Sequence, residues 1–71
     1  MQRFGEKLRI LRKRRGMTLS ELAGKTGYAS PSHVSEIETG KRKPPLEFAL
    51  KVGRLFDVSL DRLLKDELEI D

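Results

Sequence analysis

The sequence predicts an all-α fold, a compact bundle of five short helices around one core. Apolar residues recur at the three- and four-residue spacing of a helical face in five separate segments. Hydroxyl residues, glycines and prolines stand between these segments, and such residues start and stop helices. The 71 residues are enough for one domain. A chain of this size buries only about 60% of the surface that its unfolded form exposes, so we do not expect a separate catalytic cleft beside the core.

The first helix is predicted over about residues 4–14. Phe4, Leu8 and Leu11 recur at i, i+4 and i+7 and define its buried face. Arg12 lies at the edge of this face, four residues after Leu8. A charged side chain at such a position requires a partner, because a partly buried charge is tolerated only when it is paired.

The second helix is predicted over about residues 19–25. Thr18 and Glu21 have the spacing of a capping box at its start, and Leu22 marks its buried face. Gly27 ends the helix, because only glycine adopts the left-handed conformation of a helix end at little cost.

The third helix is predicted over about residues 31–39, with Ser30 as its N-cap and proline at its first position. Val34 and Ile37 give it a narrow buried stripe. Its outer face is therefore short or polar and carries Pro31, Ser32, His33, Ser35 and Glu36. A short helix held outward by another helix behind it has the geometry that enters a DNA major groove.

The fourth helix is predicted from about residue 46 to residue 56, and Ser59 caps a short fifth helix. Asp57 is expected to end the fourth helix in the left-handed conformation, which aspartate tolerates. The expected core positions of the two helices are Leu46, Ala49, Leu50, Val52, Gly53, Leu55, Phe56, Leu60, Leu63 and Leu64. The domain is therefore placed at residues 1–64, and residues 65–71 form an acidic tail that either frays or extends the last helix.

Charge is divided unevenly along the chain. Residues 1–45 contain eleven lysines and arginines and four acids. Residues 46–71 contain four lysines and arginines and seven acids, and the whole chain carries a net charge of +4. A basic front and an acidic back are typical of a protein that presents one side to a polyanion. The alternative is a solvated charged surface, which we expect for most of the basic run at residues 12–15.

Other functional classes lack the residues that they need. The chain has no cysteine and one histidine, so we expect no disulfide, no metal site and no cofactor. No nucleophile and base stand at a recognisable spacing, so we do not expect an enzyme. No apolar run approaches a membrane span and no signal peptide precedes the first helix, so we expect a cytoplasmic protein without membrane contact.

Three stretches follow one another along the chain. The first is Leu8-Arg-Ile-Leu-Arg12-Lys ahead of Gly16-Met-Thr-Leu-Ser-Glu-Leu-Ala23, the second is Val34-Ser-Glu-Ile-Glu-Thr-Gly-Lys-Arg-Lys-Pro44, and the third is residues 46–64. In this order they resemble the phage-repressor family (Cro/cI-like, XRE-type). The resemblance implies a lambda-repressor-like DNA-binding domain with a helix-turn-helix at about residues 18–39. It also implies a structural ion pair between Arg12 and Glu38, near the end of the recognition helix.

Four residues of the third helix are candidates for contact with bases: Pro31, Ser32, His33 and Glu36. Ser32 can bond a donor or an acceptor on a base edge, and Pro31 could touch a thymine methyl group. Glu36 could accept a hydrogen bond from cytosine N4, or it could instead brace His33, three residues earlier.

The candidates for phosphate contact flank that helix and are Thr18, Leu19, Ser20, Tyr28, Ser35, Lys41, Arg42 and Lys43. The free backbone N–H groups at the start of the second helix form a phosphate-binding site, to which Thr18 and Ser20 can add hydroxyl bonds. The cations at residues 41–43 follow the recognition helix directly and are placed for phosphate. Tyr28 could lie on the DNA backbone or pack against the turn.

The chain departs from the family pattern at two places. Tyr28-Ala29-Ser30 fills the gap between the turn glycine and the first buried residue of the recognition helix with one residue more than the family usually has. The side chains that face the bases could therefore be shifted by one position along the helix. Leu19 stands where the family often has a glutamine on phosphate, which removes one polar contact.

The resemblance implies a sequence-specific transcriptional regulator, a repressor that binds a palindromic operator in double-stranded DNA as a homodimer. Its half-sites would lie about one helical turn apart. The alternative is an antitoxin or protein-interaction adaptor with weak or secondary DNA binding. Leu19 and Glu36 favour the alternative, whereas the basic loop opposes it. A protein partner, either a toxin or an effector, is a further expectation.

Overall fold

The computed structural model describes residues 3–27 and 30–70. These residues form α1 (Phe4–Arg14), α2 (Leu19–Thr26), α3 (Pro31–Glu38), α4 (Leu46–Phe56) and α5 (Leu60–Leu64). The predicted all-α class is confirmed, and the predicted bounds of the first four helices lie within one residue of these. Within the described ranges, no helix is long and apolar enough to cross a membrane.

Three of the five helices begin at the predicted capping residues Thr18, Ser30 and Ser59. The backbone N–H of Glu21 donates to Thr18 Oγ1 at 3.0 Å, and that of Thr18 donates to Glu21 Oε1 at 2.9 Å, so both halves of the capping box are present. The hydrogen bond from the Thr18 backbone, followed by that from its side chain, lowers the pKa of the Glu21 carboxyl group. Ser30 caps α3 by accepting from the His33 N–H at 3.3 Å, and α5 begins with an equivalent serine cap.

Two helices end in the left-handed conformation that the sequence predicts. Gly27 follows α2 with φ +69°, and Asp57 follows α4 with φ +55°. Asp57 is the one residue other than glycine with a positive φ among the described residues. Its side chain tolerates a conformation that larger residues avoid, so α4 stops there and the chain turns towards α5.

Each helix contributes a completely buried aliphatic side chain to one shared core. These side chains are Leu8, Leu22, Val34, Val52 and Leu63, all 0% exposed. The short helices α2 and α3 could not persist alone in water, because isolated helices of fewer than about twelve residues are marginal. Packing against this core is therefore what holds the predicted helix-turn-helix in place.

The buried face of α4 differs from the predicted one. Leu46 and Leu50 were expected in the core, but they are 63% and 41% exposed, so that part of the prediction is wrong. The helix instead buries Phe48, Ala49, Val52 and Phe56. The Phe48 ring packs edge-on against Phe4 with 6.3 Å between centroids. Two aromatic rings bury more apolar surface than two leucines, which favours this face of the helix.

The start of α1 lies unusually close to the end of α3. A Cβ atom at Gly5 would overlap the backbone carbonyl groups of Ile37 and Glu38. Gly5 itself is buried. Glycine at this position is therefore required for the two helices to approach, and any larger residue would push them apart.

Residues 65–70 fold back against α1. Lys7, on α1, is only 1% exposed, and its Nζ donates to the backbone carbonyls of Arg62 (2.6 Å), Lys65 (2.8 Å) and Leu68 (2.6 Å). All three ammonium protons thus have acceptors. The ammonium group also caps the end of α5, where backbone carbonyls lack helical partners and a positive charge is favourable.

Residues 65–70 match neither predicted alternative for the tail. They do not extend the last helix, because α5 ends at Leu64, and they do not fray, because they pack against α1. Arg3 also holds the tail against the start of α1. Its backbone N–H donates to the Asp66 carboxylate at 2.9 Å, and its guanidinium donates to the Glu69 carboxylate at 2.7 Å. The domain boundary at residue 64 stays a prediction.

Replacing Lys7 with methionine should lower the free energy of unfolding by about 2–4 kcal/mol. Methionine fills similar space but leaves the three carbonyl groups without a donor. Denaturation in urea measures the change. The control is Lys65→Met, at an exposed side chain, which should change the stability by less than about 0.5 kcal/mol. Equal stability of Lys7→Met and the wild type would contradict the capping role.

Candidate nucleic-acid interface

The third helix presents a polar face to solvent and an apolar face to the core. Val34 and Ile37 are 0% and 1% exposed and hold α3 from beneath. The predicted base-contact residues lie elsewhere on the helix: Pro31 and Ser32 are exposed, and His33 and Glu36 are half-buried. This orientation is the one that a helix needs in order to enter a major groove. Contact between these four side chains and bases remains a prediction.

The second helix supports α3 and offers free backbone donors at its own start. Leu22 and Ala23 are buried where α2 packs against α3. The backbone N–H groups of Leu19 and Ser20 have no acceptor among the described residues. The Thr18 hydroxyl is engaged by Glu21: it accepts from the backbone N–H of that residue and hydrogen-bonds its carboxylate. A phosphate oxygen could accept from the two backbone N–H groups.

Leu19 contributes to this site through its backbone only. Its side chain is half-buried and packs against the core. The apolar residue that replaces a glutamine of the family pattern is thus used for packing. The start of α2 consequently carries no side-chain amide that could hold a phosphate.

The basic loop at residues 41–43 is fixed to the end of α3. The backbone N–H groups of Lys41 and Arg42 both donate to the Glu36 carbonyl, at 2.9 and 3.2 Å. The Arg42 guanidinium also pairs with the Glu36 carboxylate at 3.1 Å. This pair supplies a donor to the carboxylate and reduces its repulsion of a nearby phosphate. Lys41 and Lys43 are exposed beside it.

Arg12 and Glu38, the predicted structural ion pair, lie against each other between α1 and α3. Arg12 Nε donates to Glu38 Oε2 at 2.7 Å, and Nη2 donates to Oε1 at 3.2 Å. The third nitrogen, Nη1, donates to the Met17 carbonyl at 2.8 Å. The side chains are 13% and 5% exposed. Two parallel hydrogen bonds to a carboxylate fix the orientation of both groups.

A cleft of about 540 Å³ opens beside this pair. Its lining comes from α1, the start of α2 and the later part of α3: Arg9, Arg12, Leu19, Ser35, Glu38 and Thr39. We call it the α1–α3 cleft. Ser35, a predicted phosphate-contact residue, is half-buried in it. Arg9 was not a candidate, because the sequence shows only one more charged residue on a charged helix.

Two features predicted from the sequence lie outside the residues that the structure describes. Tyr28, a predicted phosphate-contact residue, lies outside the described residues. The longer turn around it, including Ala29, lies there as well. Within the described ranges, no group of three metal-ligating side chains comes together.

Two short helices, α2 and α3, pack against each other, and the second turns a polar face outward; this is the arrangement of a helix-turn-helix. Residues 3–65 match the helix-turn-helix domain family, and the chain belongs to this family. The resemblance to Cro/cI-type helix-turn-helix proteins is thereby confirmed. The HTH-type transcriptional regulator SinR of Bacillus licheniformis is 43% identical over 71 aligned residues, covering 96% of this chain and 63% of SinR.

Solved structures of SinR have the same fold. The N-terminal DNA binding domain of SinR from Bacillus subtilis superimposes with a TM-score of 0.83 at 37% identity, covering 97% of this chain and 100% of that one. The structure of SinR in complex with DNA superimposes with a TM-score of 0.77 at 40% identity, covering 87% of this chain and 98% of that one. The SinR–SinI protein complex superimposes with a TM-score of 0.80 at 38% identity, covering 90% of this chain and 62% of that one. The chain thus spans about three-fifths of the length of the SinR relative from Bacillus licheniformis.

Replacing Arg12 with alanine should lower the free energy of unfolding by about 3 kcal/mol. The variant leaves Glu38 as a nearly buried carboxylate without a cation, which is costly. Thermal or urea denaturation measures the loss. The matched control is Arg42→Ala, which removes an exposed ion pair and should cost less than about 1 kcal/mol.

The double variant Arg12→Met/Glu38→Leu separates pairing from packing. It removes both charges and should recover much of the stability that Arg12→Ala loses. A melting temperature of Arg12→Ala within error of the wild type would show that the pair contributes no stability.

Proposed function

We propose that the chain is the DNA-binding part of a transcriptional regulator, a repressor that binds a specific site in double-stranded DNA. One observation carries the proposal: α3 is anchored by Val34 and Ile37 and turns its short polar side chains outward. A ridge of this kind fits a major groove, where each base pair presents a distinct pattern of donors and acceptors. The structure of SinR in complex with DNA supports the proposal.

Affinity and specificity would come from different parts of this surface. Affinity would arise from phosphates held by residues 41–43 and by the start of α2, because neutralised phosphates release their counterions. Specificity would arise from Pro31, Ser32, His33 and Glu36 on base edges. Glu36 would act from a fixed position, since its carboxylate is held by Arg42 at 3.1 Å. No reaction is needed for this role.

Dimensions favour a homodimer on a two-fold site. The Cα positions span 28 Å along the longest axis. Half-sites one helical turn apart are separated by roughly 34–36 Å. One copy therefore reaches one half-site, and a second copy must supply the other recognition helix. Occupation of such an operator by two copies would exclude other proteins from the same DNA, which is a direct route to repression.

A second candidate role, as an antitoxin or adaptor that binds another protein, is favoured by one observation. Leu46 and Leu50 lie on α4 and are 63% and 41% exposed, although leucine more often packs inside. The SinR–SinI protein complex supports a protein partner of the effector kind. A regulator in the cytoplasm, where its DNA lies, could combine both roles.

Selection of bound duplexes from a random pool tests the proposed function. We expect enrichment of one short motif and its inverted repeat, with centres about 10 base pairs apart. The control is the double variant Ser32→Ala/His33→Ala, in which two polar side chains of α3 are removed. This variant should lose or change the motif. Recovery of a random pool by the wild type would overturn sequence-specific recognition and favour the adaptor role.

Replacing Lys41 or Lys43 with alanine should weaken binding to all DNA sequences alike. Each change removes one phosphate contact, so the slope of log K against log salt should become shallower by about one unit. Fluorescence anisotropy at several salt concentrations measures the slope. The control is Lys65→Ala, on the acidic side of the chain. A slope identical to that of the wild type would count against phosphate contact by the substituted lysine.

A further inference from the structure

The net charge of the α1–α3 cleft comes from fewer residues than the number of charged side chains in its lining. Two of its lining residues, Arg12 and Glu38, form a bidentate pair at 2.7 and 3.2 Å and neutralise each other. The remaining Arg12 nitrogen donates to the Met17 carbonyl. Arg12 therefore has no nitrogen left without an acceptor, and Glu38 is only 5% exposed. The net charge of the cleft is consequently the charge of Arg9.

Arg9 is available for a ligand. Its side chain is exposed, and it has no hydrogen bond or ion pair with any described residue. It belongs to α1, whereas the predicted phosphate contacts all lie after α1, between residues 18 and 43. A ligand in the cleft would thus be held from a helix outside the helix-turn-helix.

The other polar groups near the cleft are donors. The Ser35 hydroxyl has no partner among the described residues, and the N–H groups of Leu19 and Ser20 have no acceptor there. The Thr39 hydroxyl is already used, since it donates to the backbone carbonyl of Ser35 at 3.1 Å. A guanidinium, a hydroxyl and free backbone N–H groups together fit an anion with several oxygens.

We propose that the α1–α3 cleft holds a phosphate of the DNA backbone and that Arg9 is its cation. The proposal rests on the proposed function and adds a residue of α1 to the interface. It also accounts for Leu19: the leucine side chain packs against the core, so the side-chain contact with phosphate near the start of α2 comes from Arg9 instead. A phosphate shared by Arg9 and Ser35 fixes α3 in the groove relative to α1.

The test compares three variants of the full chain by anisotropy against salt, with one selected duplex and one unrelated duplex. Arg9→Ala should make the log–log salt slope shallower by about one unit on both duplexes. Arg9→Lys should keep most of the slope, because the charge remains. Lys13→Ala is the matched control: it removes an exposed cation of the same helix that does not line the cleft, and its slope should equal that of the wild type.

The outcomes separate this proposal from the proposed function. Equal slopes for Arg9→Ala and the wild type, with normal binding by the wild type, would overturn the role of Arg9 and leave the proposed function intact. Equal losses in Arg9→Ala and Lys13→Ala would also overturn it, since the effect would then be general charge. Absence of salt-dependent binding by the wild type would overturn both. Circular dichroism of each variant confirms that the exposed substitutions leave the fold unchanged.

Discussion

The bidentate contact of Arg12 with Glu38 is the interaction on which the recognition surface depends. It joins the last turn of α1 to the last residue of α3, and it works at short range because Gly5 lets the two helices approach. α3 has only eight residues and two fully buried side chains, too few to define its direction alone. An almost buried carboxylate, in contrast, tolerates little movement away from its cation.

α1 is held at both of its faces. On one side it carries Arg12 and, at the mouth of the cleft, Arg9. On the other, Lys7 and Arg3 bind the backbone and acids of residues 65–70. Residues 65–70 thus supply acceptors for the cations on the side of α1 that faces away from α3. Arg9, Lys41 and Lys43, in contrast, form no ion pair with a described residue, and they lie in the α1–α3 cleft and the basic loop, where a polyanion would bind.

The helix positions could be predicted from the sequence because their signals are local. Capping residues, a glycine at a left-handed helix end and apolar spacing act within a few residues of one another. The exposed face of α4, the packing of the tail and the roles of Gly5 and Lys7 could not be predicted in this way. Each depends on a contact between distant segments, such as Phe48 with Phe4. Of the site, the polar face of α3 followed from the residue pattern and the pairing of Arg12 with Glu38 from the family resemblance, whereas neither indicated Arg9.

Nuclear magnetic resonance tests the central claim most directly. The ¹⁵N-labelled chain is titrated with a duplex from the selection, and amide shifts are followed residue by residue. The largest changes should occur at Ser32, His33 and Glu36 on α3 and at Leu19 and Ser20 at the start of α2, while α4 and α5 change little. Shifts confined to α4 and α5, with α3 unaffected at saturation, would contradict recognition of DNA by the outer face of α3.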